Sequence, residues 1–259
     1  MKIYIFADME GISGISRMEQ VMPDNAAYPG ACEWMMQDIN NAIDAAFEAG
    51  ATEVVACDTH GGGGQVQVAK MDPRATYETP NGSLSMPSLD ETFDGVILLG
   101  HHAKAGTLNG FLDHTESSAS WFEYRINDQV VGEVGITAAY VGHFGVPIIV
   151  VTGDEAVANE AKALLGDVEC AIVKWGIGRN RAKCLSLPKA HAVIRETIHR
   201  AIKTCKSRKP WQPKLPVVEQ LTLYRSDMAD NLAIYSGVER VDARTLRRTV
   251  NSLKDICIW

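Results

Sequence analysis

Carboxylates and imidazoles recur in short, closely spaced sets along the first half of the chain: Asp8-x-Glu10, Asp58-x-His60, the adjacent pair His101-His102, and Glu133. Oxygen and nitrogen donors arriving from separate segments suit one or two borderline metal ions such as zinc, manganese or cobalt. Magnesium, which prefers oxygen alone, fits the histidines less well. Taken singly, each set has a plainer use. An Asp-x-Glu pair after a strand commonly caps a turn. Adjacent residues on a strand point to opposite faces, so one of His101 and His102 is expected to be structural. The run Gly61 to Gly64 lacks the Lys-Ser/Thr of a phosphate-binding loop and reads as an ordinary loop. Asp154 precedes a helical pattern and is expected to cap it, with Asn serving nearly as well, and Cys57 reads as a buried thiol. Lys104 and Arg125 are further polar candidates, although long basic side chains usually lie in solvent.

The elements that must position these groups are legible as apolar runs. Lys2 to Ala7, Glu53 to Cys57, Gly95 to Leu99 and Val146 to Thr152 are apolar without alternation, as expected of parallel strands covered on both faces. Between the first two, Met35, Ile39, Ile43 and Phe47 form a helical stripe from Cys32 to Gly50, with Gly50 as its C′ residue. Strand, helix and strand in this order predict an α/β fold with a mostly parallel sheet flanked by helices. In such sheets ligands bind beyond the carboxyl ends of the strands, which is where the acidic and histidine sets fall. Trp121 to Ile126 and Gln129 to Gly132 flank Asn127-Asp128 and predict a β-hairpin whose second strand delivers Glu133. Pro188 to Ile202 carries a further helical stripe. The basic, proline-containing stretch Lys203 to Pro216 suggests a boundary, dividing the chain into an α/β domain of residues 1–206 and a small C-terminal α+β domain of residues 207–259. There, Val217 to Tyr224 predicts a strand, and Leu246, Val250, Leu253 and Cys257 a final helix begun by Asp242.

Composition narrows the function classes. A formal net charge of −7 disfavours sequence-independent adhesion to nucleic acid. No apolar run has the roughly 20 residues of a membrane span, and no signal-peptide pattern opens the chain, so a cytoplasmic protein is expected. The six scattered cysteines form no C-x-x-C pair and read as buried thiols of a reducing compartment.

Asp8-Met9-Glu10-Gly11-Ile12-Ser13-Gly14, Asp58-Thr59-His60, Gly100-His101-His102-Ala103, Gly132-Glu133-Val134-Gly135, Val173-Lys174 and Lys183-Cys184-Leu185-Ser186 together resemble the DppA-type D-aminopeptidases, a metallopeptidase family. The resemblance extends in order and spacing from the first residue to about Leu187. It implies a hydrolase that removes N-terminal D-amino acids from short peptides through water activated by two zinc ions per chain, with manganese or cobalt as alternatives. It also implies the ligand set Asp8, Glu10, His60, His102 and Glu133, with Asp8 bridging, and His114 as the catalytic histidine. A decameric ring is implied as well, for which the apolar tail Ile256-Cys257-Ile258-Trp259 offers surface. Two departures, a stretch from His102 to His114 one residue longer than the pattern and the four glycines after His60, fall in loops expected to shape the substrate pocket. Two other readings compete: another dinuclear metal amidohydrolase, and a metal-stabilised assembly subunit without activity. A structural zinc site normally uses four ligands with sulfur among them, whereas five oxygen and nitrogen ligands with a spare histidine suit an open catalytic site.

Overall fold

Each continuous apolar run forms a buried parallel strand. In the computed structural model, which describes residues 1–80, 86–257 and 259, the strands are β1 (Lys2–Ala7), β2 (Glu53–Asp58), β3 (Thr76–Glu78), β4 (Gly95–His101), β5 (Trp121–Ile126), β6 (Gln129–Val131), β7 (Ile148–Asp154), β8 (Glu169–Gly178), β9 (Arg181–Cys184), β10 (Val217–Leu223), β11 (Glu239–Arg240) and β12 (Thr245–Val250). The helices are α1 (Tyr28–Glu48), α2 (Glu133–His143), α3 (Glu155–Leu165), α4 (Leu187–Thr204) and α5 (Ser226–Leu232). One sheet runs β3-β2-β1-β4-β7-β8-β9, parallel throughout except for β9. Helices α1 and α4 cover one face, packing Ile39, Ile43, Ile194 and Ile198 on Ile3 and Ile5. Helices α2 and α3 cover the other, packing Val134, Ala138 and Val157 on Tyr4, Phe6 and Leu98. This is the predicted α/β architecture.

The strand order fixes where a ligand can bind. The chain leaves β1 toward β2 and β3, then returns to β4 on the other side of β1. Ligands of open α/β sheets sit at such a reversal, beyond the carboxyl ends of the two strands. The β1 end carries Asp8 and Glu10, and the β4 end carries His101 and His102. The two ends meet without intervening side chains: the Gly11 N–H donates to Gly100 O at 2.6 Å. A Cβ on Gly11 would fall 2.2 Å from His101 O, and Gly100 holds a φ of +75° with Asp8 O against its missing Cβ. Only glycine permits this approach.

The second sheet, β11-β12-β10-β5-β6, is antiparallel and joins the hairpin β5–β6 to three strands from the C-terminal segment. Helix α2 lies between the sheets, turning Ile136 and Ala139 toward Tyr124, Leu221 and Leu246. Glu219 of β10 is buried at the centre of this sheet, accepting from the Tyr124 hydroxyl, from Arg248 Nε at 2.6 Å and from the Cys257 N–H at 2.6 Å. Ile256, Cys257 and Trp259 pack on this chain's own core, so the tail is not the free apolar surface the sequence suggested; Ile258 lies outside the described residues.

Two local expectations are corrected. The final helix from Asp242 is instead β12 followed by a short 3-10 turn, Leu253–Asp255. An i, i+4 spacing such as Leu246 and Val250 shares one face of a strand as well as of a helix. Asp242 Oδ1 accepts the N–H groups of Arg244 and Thr245 and so makes a turn rather than a helix cap. Glu133 does not end a strand either: β6 stops at Val131, and Glu133 is the first residue of α2.

Candidate metal centre

Asp8 stands between two groups of donors. Its Oδ1 lies 3.4 Å from His60 Nδ1, which is 3.1 Å from Glu10 Oε2. Its Oδ2 lies 3.4 Å from His102 Nε2, which is 3.5 Å from Glu133 Oε1. Donor atoms of Asp8, Glu10 and His60 all fall within 4.8 Å of one another, as do those of His102, His114 and Glu133 and those of Asp8, His101 and Glu133. The five residues named as ligands by resemblance, and His114, are thus brought to one rim.

Backbone carbonyls orient the imidazoles. A carbonyl can only accept, so the ring nitrogen facing it carries the proton. His102 Nδ1 donates to Ala103 O at 3.0 Å and His60 Nε2 donates to Val21 O at 3.2 Å. In each neutral ring the lone pair is then left on the nitrogen facing Asp8, the orientation usual for metal-binding histidines. His114 Nδ1 donates to Leu112 O at 2.8 Å, and its ring stacks on His102 at 3.9 Å and 12°. Its free Nε2 is 3.8 Å from Glu133 Oε1. His101 Nε2 bonds Phe6 O, and its Nδ1 is buried without a hydrogen-bond partner.

The charges are strongly coupled. Burial works against a charged His60, but Glu10 and Asp8 overcome it and push its pKa up to about 12. Burial would raise Glu133, yet His102 and His114 hold it down to about 2. Asp8 Oδ2 and His102 Nε2 are buried without hydrogen-bond partners, each facing the other. Buried polar atoms left unpaired are costly, and a cation held among these donors relieves them. The donor set and its orphaned atoms therefore fit zinc.

A cavity of about 500 Å³ opens on Asp8, Glu10, His60, His114 and Glu133. Met18, Val21, Met22 and Leu112 form an apolar part of its wall, while Glu116, Ser117, Ser118, Thr137 and Arg179 add polar groups that sequence reasoning did not single out. Of these, Glu116 is closest in role to the donors: its N–H holds Glu133 Oε1 at 2.7 Å, from a backbone with φ of +56°. A non-glycine residue in that region gives no sequence signal.

Other sequence candidates lie elsewhere. Asp58 turns inward, where its Oδ2 accepts the N–H groups of Gln65 and Val66 and so closes the glycine loop; burial raises its pKa to about 6. Cys57 is buried in β2, and burial raises its thiol to about 12. Lys104 pairs with Glu160, and Arg125 with Glu123, both away from the cavity.

Asp154 caps α3 as predicted, Oδ1 accepting from the Val157 N–H at 2.8 Å, but its Oδ2 also accepts the Phe111 N–H at 2.7 Å. An asparagine has one acceptor oxygen and would present a donor to one of these amides. Asp154→Asn is therefore expected to cost about 1–3 kcal/mol of stability. Urea denaturation checks this; a variant as stable as the original would leave Asp154 a simple cap.

The D-aminopeptidase family model matches residues 1–259. A D-aminopeptidase of Bacillus subtilis (strain 168) is 36% identical over 217 residues, covering 82% of this chain and 78% of that protein. The solved structure of the Zn-dependent D-aminopeptidase DppA from Bacillus subtilis, described as a self-compartmentalizing protease, matches with a TM-score of 0.94 and 31% identity. That match covers 98% of this chain and 93% of the other.

Proposed function

The chain belongs to the D-aminopeptidase family, and from that premise we propose that it is a zinc-dependent enzyme that releases N-terminal D-amino acids from short peptides. The observation that carries this reading is the position of Asp8, with one carboxylate oxygen toward His60 and the other toward His102. Asp8, Glu10 and His60 would hold one zinc ion, and Asp8, His102 and Glu133 a second. Bound there, the metals supply a water acidified toward neutrality and a Lewis acid for the scissile carbonyl.

The chain's own residues do the rest. The peptide's first residue enters a cavity whose apolar wall, of Met18, Val21, Met22 and Leu112, accepts a side chain and excludes water from it. His114 is the proton carrier. With Nδ1–H fixed on Leu112 O, its Nε2 takes up the proton that water loses on attack and passes it to the departing amine, and the stack on His102 holds its plane. Glu133 Oε1 lies 3.8 Å from that nitrogen, on the cavity side. Glu116 keeps Glu133 in place through its backbone N–H.

Elemental analysis of protein purified without chelator, together with hydrolysis assays on D-Ala-D-Ala and L-Ala-L-Ala, tests the reading. Two zinc ions per chain and turnover of the D-peptide alone are expected. A stoichiometry that never exceeds one, or equal turnover of both peptides, would overturn it.

The relative described as self-compartmentalizing supports a homo-oligomer here as well. We propose a decameric ring, located in the cytoplasm; among the described residues no helix is long and apolar enough to cross a membrane. Light scattering at micromolar concentration should give ten chains of 28.2 kDa each. The mass of one chain would refute the ring.

A further inference from the structure

Lys174 stands in the middle of β8, between buried Val173 and half-buried Trp175, and its side chain is fully buried. An ammonium in such a place is expensive unless all of its protons are received. Its Nζ donates three hydrogen bonds of 2.7 Å each, to the backbone carbonyls of Glu10, Ile12 and Ile15, and none to a carboxylate. Three carbonyl dipoles converging on one point repel each other unless a positive charge sits there. The turn that follows Asp8 is therefore wrapped around an ammonium much as a loop is wrapped around a bound cation.

One peptide unit of this turn is held at both ends. The Glu10 carbonyl is fixed by Lys174, and the Gly11 N–H of the same unit is fixed by Gly100 O. Gly100 directly precedes His101 and His102, so the clamp sets the backbone of Glu10 against the strand end that carries His102. Ser13 adds a third point, its N–H donating to Asp38 Oδ2 at 2.8 Å.

We infer that Lys174 is a positioning residue for the metal centre: its buried ammonium holds the turn of residues 10–15 so that Asp8 and Glu10 face His60 and His102 before any metal binds. This rests on the zinc reading above. It assigns the preformed shape of the site to a fixed charge of the protein on the far side of the turn from the cavity.

The test compares Lys174→Met with the unaltered protein. Outer-shell groups that orient ligands typically change metal affinity 10- to 100-fold. The folded variant should bind zinc about 10- to 100-fold more weakly in chelator competition, and its cobalt-substituted form should show shifted visible d–d bands. A folded Lys174→Met protein with unchanged zinc affinity and unchanged cobalt spectrum would reduce Lys174 to a stabilising role and overturn the inference. Should the variant fail to fold, hydrogen exchange of the unaltered protein decides. The amides of residues 9–16 should stay as protected after zinc removal as before it. Loss of their protection on chelation would mean that metal, not Lys174, holds the turn. If the unaltered protein binds no zinc at all, the zinc reading fails, while the exchange data still show whether the turn is held without metal.

Discussion

His114→Ala lowers kcat on a D-peptide by about 10² to 10⁴, with KM, zinc content and melting temperature close to those of the unaltered protein. The expectation follows from where its protons and lone pair lie. Nδ1 is committed to Leu112 O and the ring is stacked on His102, so only Nε2 is available, and it opens toward the cavity beside Glu133. A side chain held by one backbone bond and one stack contributes little to stability, whereas a proton donor at the leaving amine acts mainly in the transition state. His114 also lies within ligand distance of His102 and Glu133, so zinc content is the discriminating measurement. A variant that loses one zinc ion would make His114 a ligand, and one that keeps its kcat would remove it from the reaction. His143 and His199, on α2 and α4, are suitable controls and should tolerate alanine. His191 is not, because its Nε2 lies 3.0 Å from Asp38, the residue that holds the Ser13 amide.

Asp8→Ala is the second change with a large expected effect. It strips a donor from both groups at once, since the two carboxylate oxygens lie 3.4 Å from His60 and 3.4 Å from His102. Zinc content should fall from the proposed two ions toward zero, and turnover by at least about 10³-fold, the loss that corresponds to removing about 4 kcal/mol of transition-state stabilisation. Glu10→Ala is expected to release one ion only, because Glu10 meets His60 but lies outside the group around Glu133. Elemental analysis of the two variants side by side checks both. Full zinc occupancy in Asp8→Ala would rule out a bridging carboxylate.

Much of this architecture is legible in the sequence because burial leaves a mark there. Strands covered on both faces, such as Lys2–Ala7 and Ile148–Asp154, are apolar without interruption, and polar residues that follow such a run fall at the sheet's carboxyl edge. Asp8, Glu10, His60 and His102 are legible in this way, and the family resemblance implies their roles. The signal fails where burial has no single direction. Helix α2 is wedged between two sheets and apolar all round, so no stripe betrays it, and the hairpin pattern before it puts Glu133 on a strand instead. It also fails where function resides in the main chain. Nothing in the string Val173-Lys174-Trp175 says that three carbonyls 159 to 164 residues away would converge on that lysine. Nor does the sequence show that Glu116 serves the site through its N–H.

The antiparallel sheet also sets a schedule for the growing chain. Asp8, Glu10, His60, His102, His114 and Glu133 have all been synthesised before α2 is complete, but the hairpin β5–β6 finds its partner only when β10 emerges, about 90 residues after Glu133. At about 5–20 residues per second, this leaves roughly 5 to 18 s during which β5 has an unpaired edge and Tyr124 lacks Glu219. Through that interval a nascent chain carries every proposed zinc ligand without the sheet that backs α2 and Glu133. The last strands to be made are thus the ones that close the antiparallel sheet against α2, the helix that begins with Glu133.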